Sequence, residues 1–118
     1  MSKKLKVVYV AGPFTAPNVW QRELNIRAAE NVAMMVAEIG AMPLCPHSNT
    51  RHFEGTISLE FWYEGTLELL RRCDAMQVVP GWQRSTGTKR EIEEAELLKL
   101  PTFYNGADLA EWLRKVST

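Results

Sequence analysis

The sequence predicts a small three-layer α/β domain with a mostly parallel sheet of four or five strands, and three observations predict it. Short apolar, β-branched runs alternate with amphipathic helical stretches, which implies βαβ units, right-handed crossovers and parallel strands. The runs end in glycine- or proline-bearing loops, where open parallel sheets bind their ligands. A chain of 118 residues with 46% hydrophobic and 24% charged side chains suits one core, so residues 1–118 read as a single domain with no room for a second.

Leu5 to Ala11 is β-branched and stops at Gly12-Pro13, as a central strand closed by a turn does. Past the loop Phe14 to Asn18, Leu24, Ala28, Val32, Met35, Val36 and Ile39 recur at helical spacing and are expected to face the core. Asn18 is the expected N-cap and Gly40 the C-terminal stop. Ala41 to Cys45 reads as a second strand, which Pro43 moves toward a sheet edge. A polar loop from Pro46 to Thr56 holds both histidines, His47 and His52. Ser58 is placed to cap a helix running to about Arg72, with Leu59, Trp62, Tyr63, Thr66, Leu69 and Leu70 facing inward and Gly65 weakening its middle. Ala75 to Val79 is the third strand, and a helix from about Thr88 to Lys99 follows its loop. Thr102 to Tyr104 makes a short fourth strand, and Leu109, Trp112, Leu113 and Val116 mark a closing amphipathic helix. The expected strand order is 2-1-3-4, a flavodoxin-like or Rossmann-like arrangement.

Bulk properties remove several classes of function. Fourteen basic residues balance fourteen acidic ones, so the electrostatic footprint of a nucleic-acid-binding protein is missing. The basic-then-apolar N-terminus imitates a signal peptide, but its apolar run is short and β-branched. No segment is long enough to span a membrane, which leads to the expectation of a cytoplasmic protein. Cys45 and Cys73 form no close-spaced motif and are expected to stay reduced. With His47 and His52 they supply four zinc-ligating side chains by count, yet their spacing matches no compact zinc pattern, and no metal is expected.

In the expected order the C-terminal ends of strands one and three adjoin, so the loops Ala11 to Asn18 and Pro80 to Thr88 should line one crevice. Gly12 and Gly87 would let backbone approach a bound group. Ser85 or Thr86 offers a hydroxyl, and the helix start near Thr88 offers free N–H groups and partial positive charge, a setting for an anion such as phosphate. Glu91 reads in two ways: as the floor of that crevice, or as the acidic end of a capping box Thr88-Lys89-Arg90-Glu91 folded onto its own backbone. Asp74 precedes strand three while Glu91 follows it, about 17 Å away, so Asp74 reads as structural. Glu60 and Glu64 share a helix face near the crevice and could serve as general acid or simply face solvent. His47, Phe14 and Trp82 lie in crevice loops, open to substrate contact or to loop packing.

Val8-Tyr9-Val10-Ala11-Gly12-Pro13, Pro43-Leu44-Cys45-Pro46-His47, Cys73-Asp74-Ala75 and above all Ser85-Thr86-Gly87-Thr88-Lys89-Arg90-Glu91 resemble the nucleoside 2-deoxyribosyltransferase superfamily. That superfamily includes nucleoside 5'-monophosphate N-glycosidases and small bacterial and phage members, and the likeness is closest to the small members. It runs from about Lys6 to Tyr104. The resemblance implies that Glu91 is a nucleophile attacking C1' of an N-glycoside and that Tyr9 hydrogen-bonds near it. The crevice reading places Gly12, Pro13, Phe14, His47, Trp82, Ser85, Gly87 and Thr88 around the substrate, and the resemblance matches serine at position 85 to the members that prefer 5'-phosphates.

Two positions depart from the pattern. Thr66 stands where related enzymes carry an aspartate that assists the leaving base, and the tail after Trp112 has no counterpart to the segment that reaches a neighbouring subunit. The expected activity is therefore N-glycosidase or glycosyltransferase chemistry on a nucleoside 5'-monophosphate or nucleoside. It needs no cofactor and would take place in a homo-oligomer, dimer or tetramer. The alternatives are a non-catalytic nucleotide-binding or sensing domain and an interaction module in which Glu91 only caps a helix.

Overall fold

A computed structural model describes residues 4–49, 53 and 55–116, so His52 lies outside the described residues. Four strands, β1 (Val7–Ala11), β2 (Met42–Leu44), β3 (Ala75–Val78) and β4 (Thr102–Phe103), form one all-parallel sheet ordered β2-β1-β3-β4. The helices are α1 (Val19–Ile39), α2 (Pro46–Asn49), α3 (Leu59–Arg71), α4 (Thr86–Leu97) and α5 (Gly106–Val116), with a 3-10 turn at Trp82–Arg84. The region expected as a loop from Pro46 thus opens with the short α2.

Side-chain alternation along the strands builds the three layers. Val8, Val10, Ala75 and Val79 pack with Ala29 and Val36 of α1 and with Leu109 and Leu113 of α5. Tyr9, Ala11, Met76 and Val78 face the other way, onto Leu67 and Leu70 of α3 and Ile92 and Ala95 of α4. In register, Tyr9 sits opposite Met76 and Ala11 opposite Val78, so the C-terminal ends of β1 and β3 finish together. Asp74 fixes that end-to-end alignment from the other side, its Oδ2 accepting the amide proton of Val7 at 2.8 Å, which is the structural role its position suggested.

Three expected helix ends are observed. Asn18 accepts the amide proton of Gln21 at 2.8 Å, Ser58 accepts that of Phe61 at 3.1 Å, and Gly40 ends α1 with φ 116°, a left-handed stop. The start of α4 is corrected. Its N-cap is Ser85, extended at φ −113°, whose Oγ accepts the amide proton of Thr88 at 3.1 Å. Thr88 is itself helical and only 1% exposed, and its hydroxyl donates to Ser85 Oγ at 2.8 Å instead of capping anything further on. A capping-box acid belongs three residues past the cap, and that place is held by Thr88. Glu91 lies in the second turn and cannot reach back, so the capping reading of Glu91 falls.

Several residues expected in the core are outside it. The α1 stripe that meets the sheet runs through Ile26, Ala29 and Val36, leaving Leu24 and Ala28 exposed. Leu59, the first residue of α3, is 80% exposed because the helix enters the fold only at its second turn, and Val116 is likewise exposed at the end of α5. Gly12 has a different reason from the expected one: a Cβ there would lie 2.6 Å from Val79 Cβ, so glycine is required by the packing of the β1 and β3 ends. Among the described residues no helix is long and apolar enough to cross a membrane.

Candidate active site

The paired ends of β1 and β3, the loop from Gly12 to Pro17, the first turns of α4 and one side of α3 enclose a cleft of about 1200 Å³. Tyr9 and Glu91 meet in its floor. Tyr9 is fully buried on the β1 face turned toward α3 and α4, and its phenol donates a hydrogen bond to Glu91 Oε2. Glu91 is intermediate in exposure as a whole residue, but its carboxyl group lies deep among protein atoms. Burial pushes that carboxyl up to about 7, opposed by the Tyr9 hydrogen bond, which pulls it down. The phenol rises well above its ordinary value, first through burial and then through the neighbouring carboxylate. Tyr9 therefore remains protonated, and the only charge the pair carries is the one on Glu91.

Among the described residues no arginine pairs with this carboxylate. Arg90, the preceding residue, lays its guanidinium over the ring of Tyr63 on α3, 5.5 Å from the centroid. Thr66, one turn further along α3, donates its hydroxyl to the Tyr63 carbonyl at 2.8 Å and lies beside the Tyr9 oxygen.

The Gly12 to Asn18 wall is held by internal contacts. His47 is buried, and its Nε2 sits 2.8 Å from the Pro13 carbonyl; a carbonyl only accepts, so Nε2 carries a proton. Burial lowers the pKa of this ring, which stacks edge-on against Phe14 at 5.3 Å. Asn25 of α1 donates to the Phe14 carbonyl at 3.2 Å, and Arg22 lies over the Phe14 ring at 5.9 Å. His47 shapes the loop that shapes the cleft.

The opposite wall is the start of α4. Ser85 Oγ already accepts from the Thr88 amide and the Thr88 hydroxyl, so its own proton is the group left to offer. A helix that starts at Thr86 leaves the Thr86 and Gly87 amides without intrahelical acceptors. Gly87 meets nothing within 4 Å of where a Cβ would stand, so the fold itself does not ask for glycine there. The wall presents hydrogen-bond donors over open space, the arrangement that receives an anion.

Of the residues singled out in the sequence, Tyr9, Gly12, Pro13, Phe14, His47, Glu60, Ser85, Gly87, Thr88 and Glu91 are brought together in this cleft. Trp82 and Glu64 are not. Trp82 packs its indole against the α3/α4 side of the core and against Tyr104, ring centroids 5.5 Å apart, while Glu64 is exposed on α3 away from the lining. Sequence reasoning missed Arg84, Arg90, Gln21 and Asn25, and assigned the lining residues Trp62 and Tyr63 to the core. The signal for the arginines was visible, since Arg84 and Arg90 bracket the Ser85 to Lys89 segment. Among the described residues no cluster of three or more His, Cys, Asp or Glu side chains could hold a metal ion, and Cys45 and Cys73 are free thiols.

A family profile described as Domain of unknown function (DUF4406) matches residues 6–104. No curated protein matches the chain. Among solved structures, the 2-deoxyribosyltransferase of the psychrotolerant bacterium Bacillus psychrosaccharolyticus is similar with a TM-score of 0.59 at 21% identity, over 81% of this chain and 69% of that one. The 2-deoxyribosyltransferase of Leishmania mexicana is similar with a TM-score of 0.56 at 20% identity, over 82% of this chain; the match spans 61% of the Leishmania protein. The fold is that of the 2-deoxyribosyltransferases.

Proposed function

The chain belongs to the DUF4406 family, and we propose that it cleaves the N-glycosidic bond of a nucleoside 5'-monophosphate or nucleoside, with Glu91 as the nucleophile. The observation that carries this reading is the contact between Tyr9 and Glu91 in the floor of an open cleft, with Ser85 relieving Glu91 of any capping duty. The 2-deoxyribosyltransferase fold supports it.

Tyr9 holds Glu91 Oε2, which leaves Oε1 to attack C1'. As the new C–O bond forms, the electron pair of the C1'–N bond departs with the base, through a transition state whose positive sugar is stabilised by the carboxylate. A proton must reach the departing base, and Glu60 is the further carboxyl in the cleft lining available to deliver it. Water, or a second base, then displaces Glu91 from C1', and the two inversions give net retention. Tyr9 serves both steps, stabilising the carboxylate again as it is released. The donors of Ser85, Thr86 and Gly87 hold a 5'-phosphate.

A second reading is favoured by one residue. Thr66 stands at the position expected for an acid that assists the leaving base, and its hydroxyl is committed to the Tyr63 carbonyl, which fits a domain that binds nucleotides without cleaving them. Incubation with ribo- and deoxyribonucleotides of each base, followed by chromatography for free base, separates the two. Release by the native protein and none by Glu91→Gln is the expected result. Binding without release establishes the second reading, and release that survives Glu91→Gln rules out Glu91 as nucleophile. A homo-oligomer is part of the proposal, supported by the exposed Leu24 and Leu59 in the cleft wall and the exposed Trp20 and Phe61 on the same helices, and light scattering tests it.

A further inference from the structure

We infer that Arg84 and Arg90 form a second anion subsite, so that the preferred ligand of the cleft carries a pyrophosphate on its 5' carbon: a nucleoside 5'-diphosphate or an ester of one. This rests on the reading of the cleft as a nucleotide site and extends it to the substrate's charge and length.

The first-phosphate cradle is complete without either arginine. The Ser85 hydroxyl, the Thr86 hydroxyl and the Thr86 and Gly87 amides already supply four donors, against the three terminal oxygens of a phosphate monoester. Two arginines nevertheless remain in the same cleft wall.

They differ from four other arginines of the fold. Arg27, Arg71, Arg72 and Arg114 each meet a glutamate within their own helix or on the next one. Arg84 and Arg90 meet no carboxylate among the described residues, in a chain whose formal net charge is zero. Arg90 is steadied by the Tyr63 ring, and Arg84 folds back so that its Nη2 lies 2.9 Å from where a Gly81 Cβ would be. Arg90 is thus held at the cleft by a contact that leaves its charge unneutralised, and Arg84 lines the same cleft with its charge likewise unneutralised. Guanidinium groups in that state suit the planar, bidentate recognition of phosphate.

Geometry and room agree. Arg84 directly precedes the cap and Arg90 lies four residues beyond the first helical residue, about 6 Å along the axis, so side chains of this length can converge on a group next to the cradle. A cleft of about 1200 Å³ exceeds the 300–1,000 Å³ of ordinary small-molecule pockets, leaving space past a mononucleotide.

The test uses the full chain carrying Glu91→Gln, which keeps ligands intact, and titrates it calorimetrically at fixed salt, with chelator present, against a nucleoside and its 5'-mono- and 5'-diphosphates for each base. The diphosphate is expected to bind at least tenfold more tightly than the monophosphate. Adding Arg84→Gln and Arg90→Gln together should shrink that ratio below threefold, and Arg84→Lys with Arg90→Lys should restore part of it. Equal affinities, a ratio untouched by the glutamine pair, or no binding by any phosphorylated ligand would overturn the inference. Base release by the native protein is scored separately. An affinity ladder without base release removes the catalytic reading and leaves this subsite standing, whereas base release with equal mono- and diphosphate affinities does the reverse.

Discussion

Tyr9 and Glu91, 82 residues apart in the chain, are joined by a hydrogen bond across the interface between β1 and α4. The phenol comes from a strand position buried on both sides and the carboxylate from the second turn of a helix, so their contact exists only when α4 is docked on the sheet. Because burial works against charge on both groups, the pair restrains the ionisation of the proposed nucleophile.

The pH dependence of base release should show that restraint. As the proposed nucleophile Glu91 must be ionised to attack, so kcat/KM is expected to rise through an apparent pKa near 7 and to be about tenfold below its plateau at pH 6. Tyr9→Phe removes the influence that lowers this pKa and should move the rising limb to higher pH as well as reducing the plateau. A profile level from pH 5 to 8, or a limb unmoved by Tyr9→Phe, would contradict the assignment.

The same burial has a consequence for stability. A carboxyl that ionises at 4.5 when unfolded and at about 7 when folded binds its proton more tightly in the native state, so stability is lost as pH rises between those values. The full loss, on the order of 3 kcal/mol, is in place above pH 7. Glu91→Gln, uncharged but still able to accept from Tyr9, should therefore raise the unfolding free energy at pH 8 by on the order of 1–3 kcal/mol and change it little at pH 4. Urea unfolding at the two pH values measures this, and a variant destabilised at pH 8 would show that the charge is accommodated.

The architecture was legible because it follows from local rules. Alternating periods of two and 3.6, with Asn18, Gly40 and Ser58 as punctuation, predict the elements, and the flavodoxin-like pattern of doubly wound sheets predicts the order β2-β1-β3-β4. The start of α4 was less legible, since Ser85 and Thr88 are both good caps and only the packing that buries Thr88 decides between them. The cleft was legible at its floor and blurred at its walls. Leu24, Leu59, Trp62 and Tyr63 obey helical periodicity, yet that periodicity does not say whether an apolar face meets the core or a cavity. Gly12 and Gly87 look alike in sequence and differ only in what stands opposite them.

Ser85 carries two loads that substitutions can separate. Ser85→Ala removes the N-cap of α4 and should cost about 1 kcal/mol of stability as well as weakening nucleotide binding. Ser85→Asp keeps an oxygen for the Thr88 amide, so the fold should hold, but it places a carboxylate where the phosphate is proposed to sit. Stability close to native with nucleotide affinity down at least tenfold is the expected result of the aspartate. Unchanged affinity by calorimetry would remove the phosphate from this wall.

The two cleft glycines should respond to alanine in opposite ways. At Gly12 the added methyl is driven onto Val79, so Gly12→Ala forces the β1 and β3 ends apart and should lower stability by about 1–3 kcal/mol. At Gly87 the methyl enters open space on a helical residue, where alanine is favoured over glycine by up to about 1 kcal/mol. Gly87→Ala should thus fold as well as the native chain or better, yet bind nucleotide more weakly, because the methyl stands where a phosphate oxygen would approach the amides. Thermal unfolding beside calorimetric titration gives both quantities for each variant. If Gly87→Ala gains stability and loses no affinity, the ligand does not lie against the start of α4, and its glycine there remains without a functional reason.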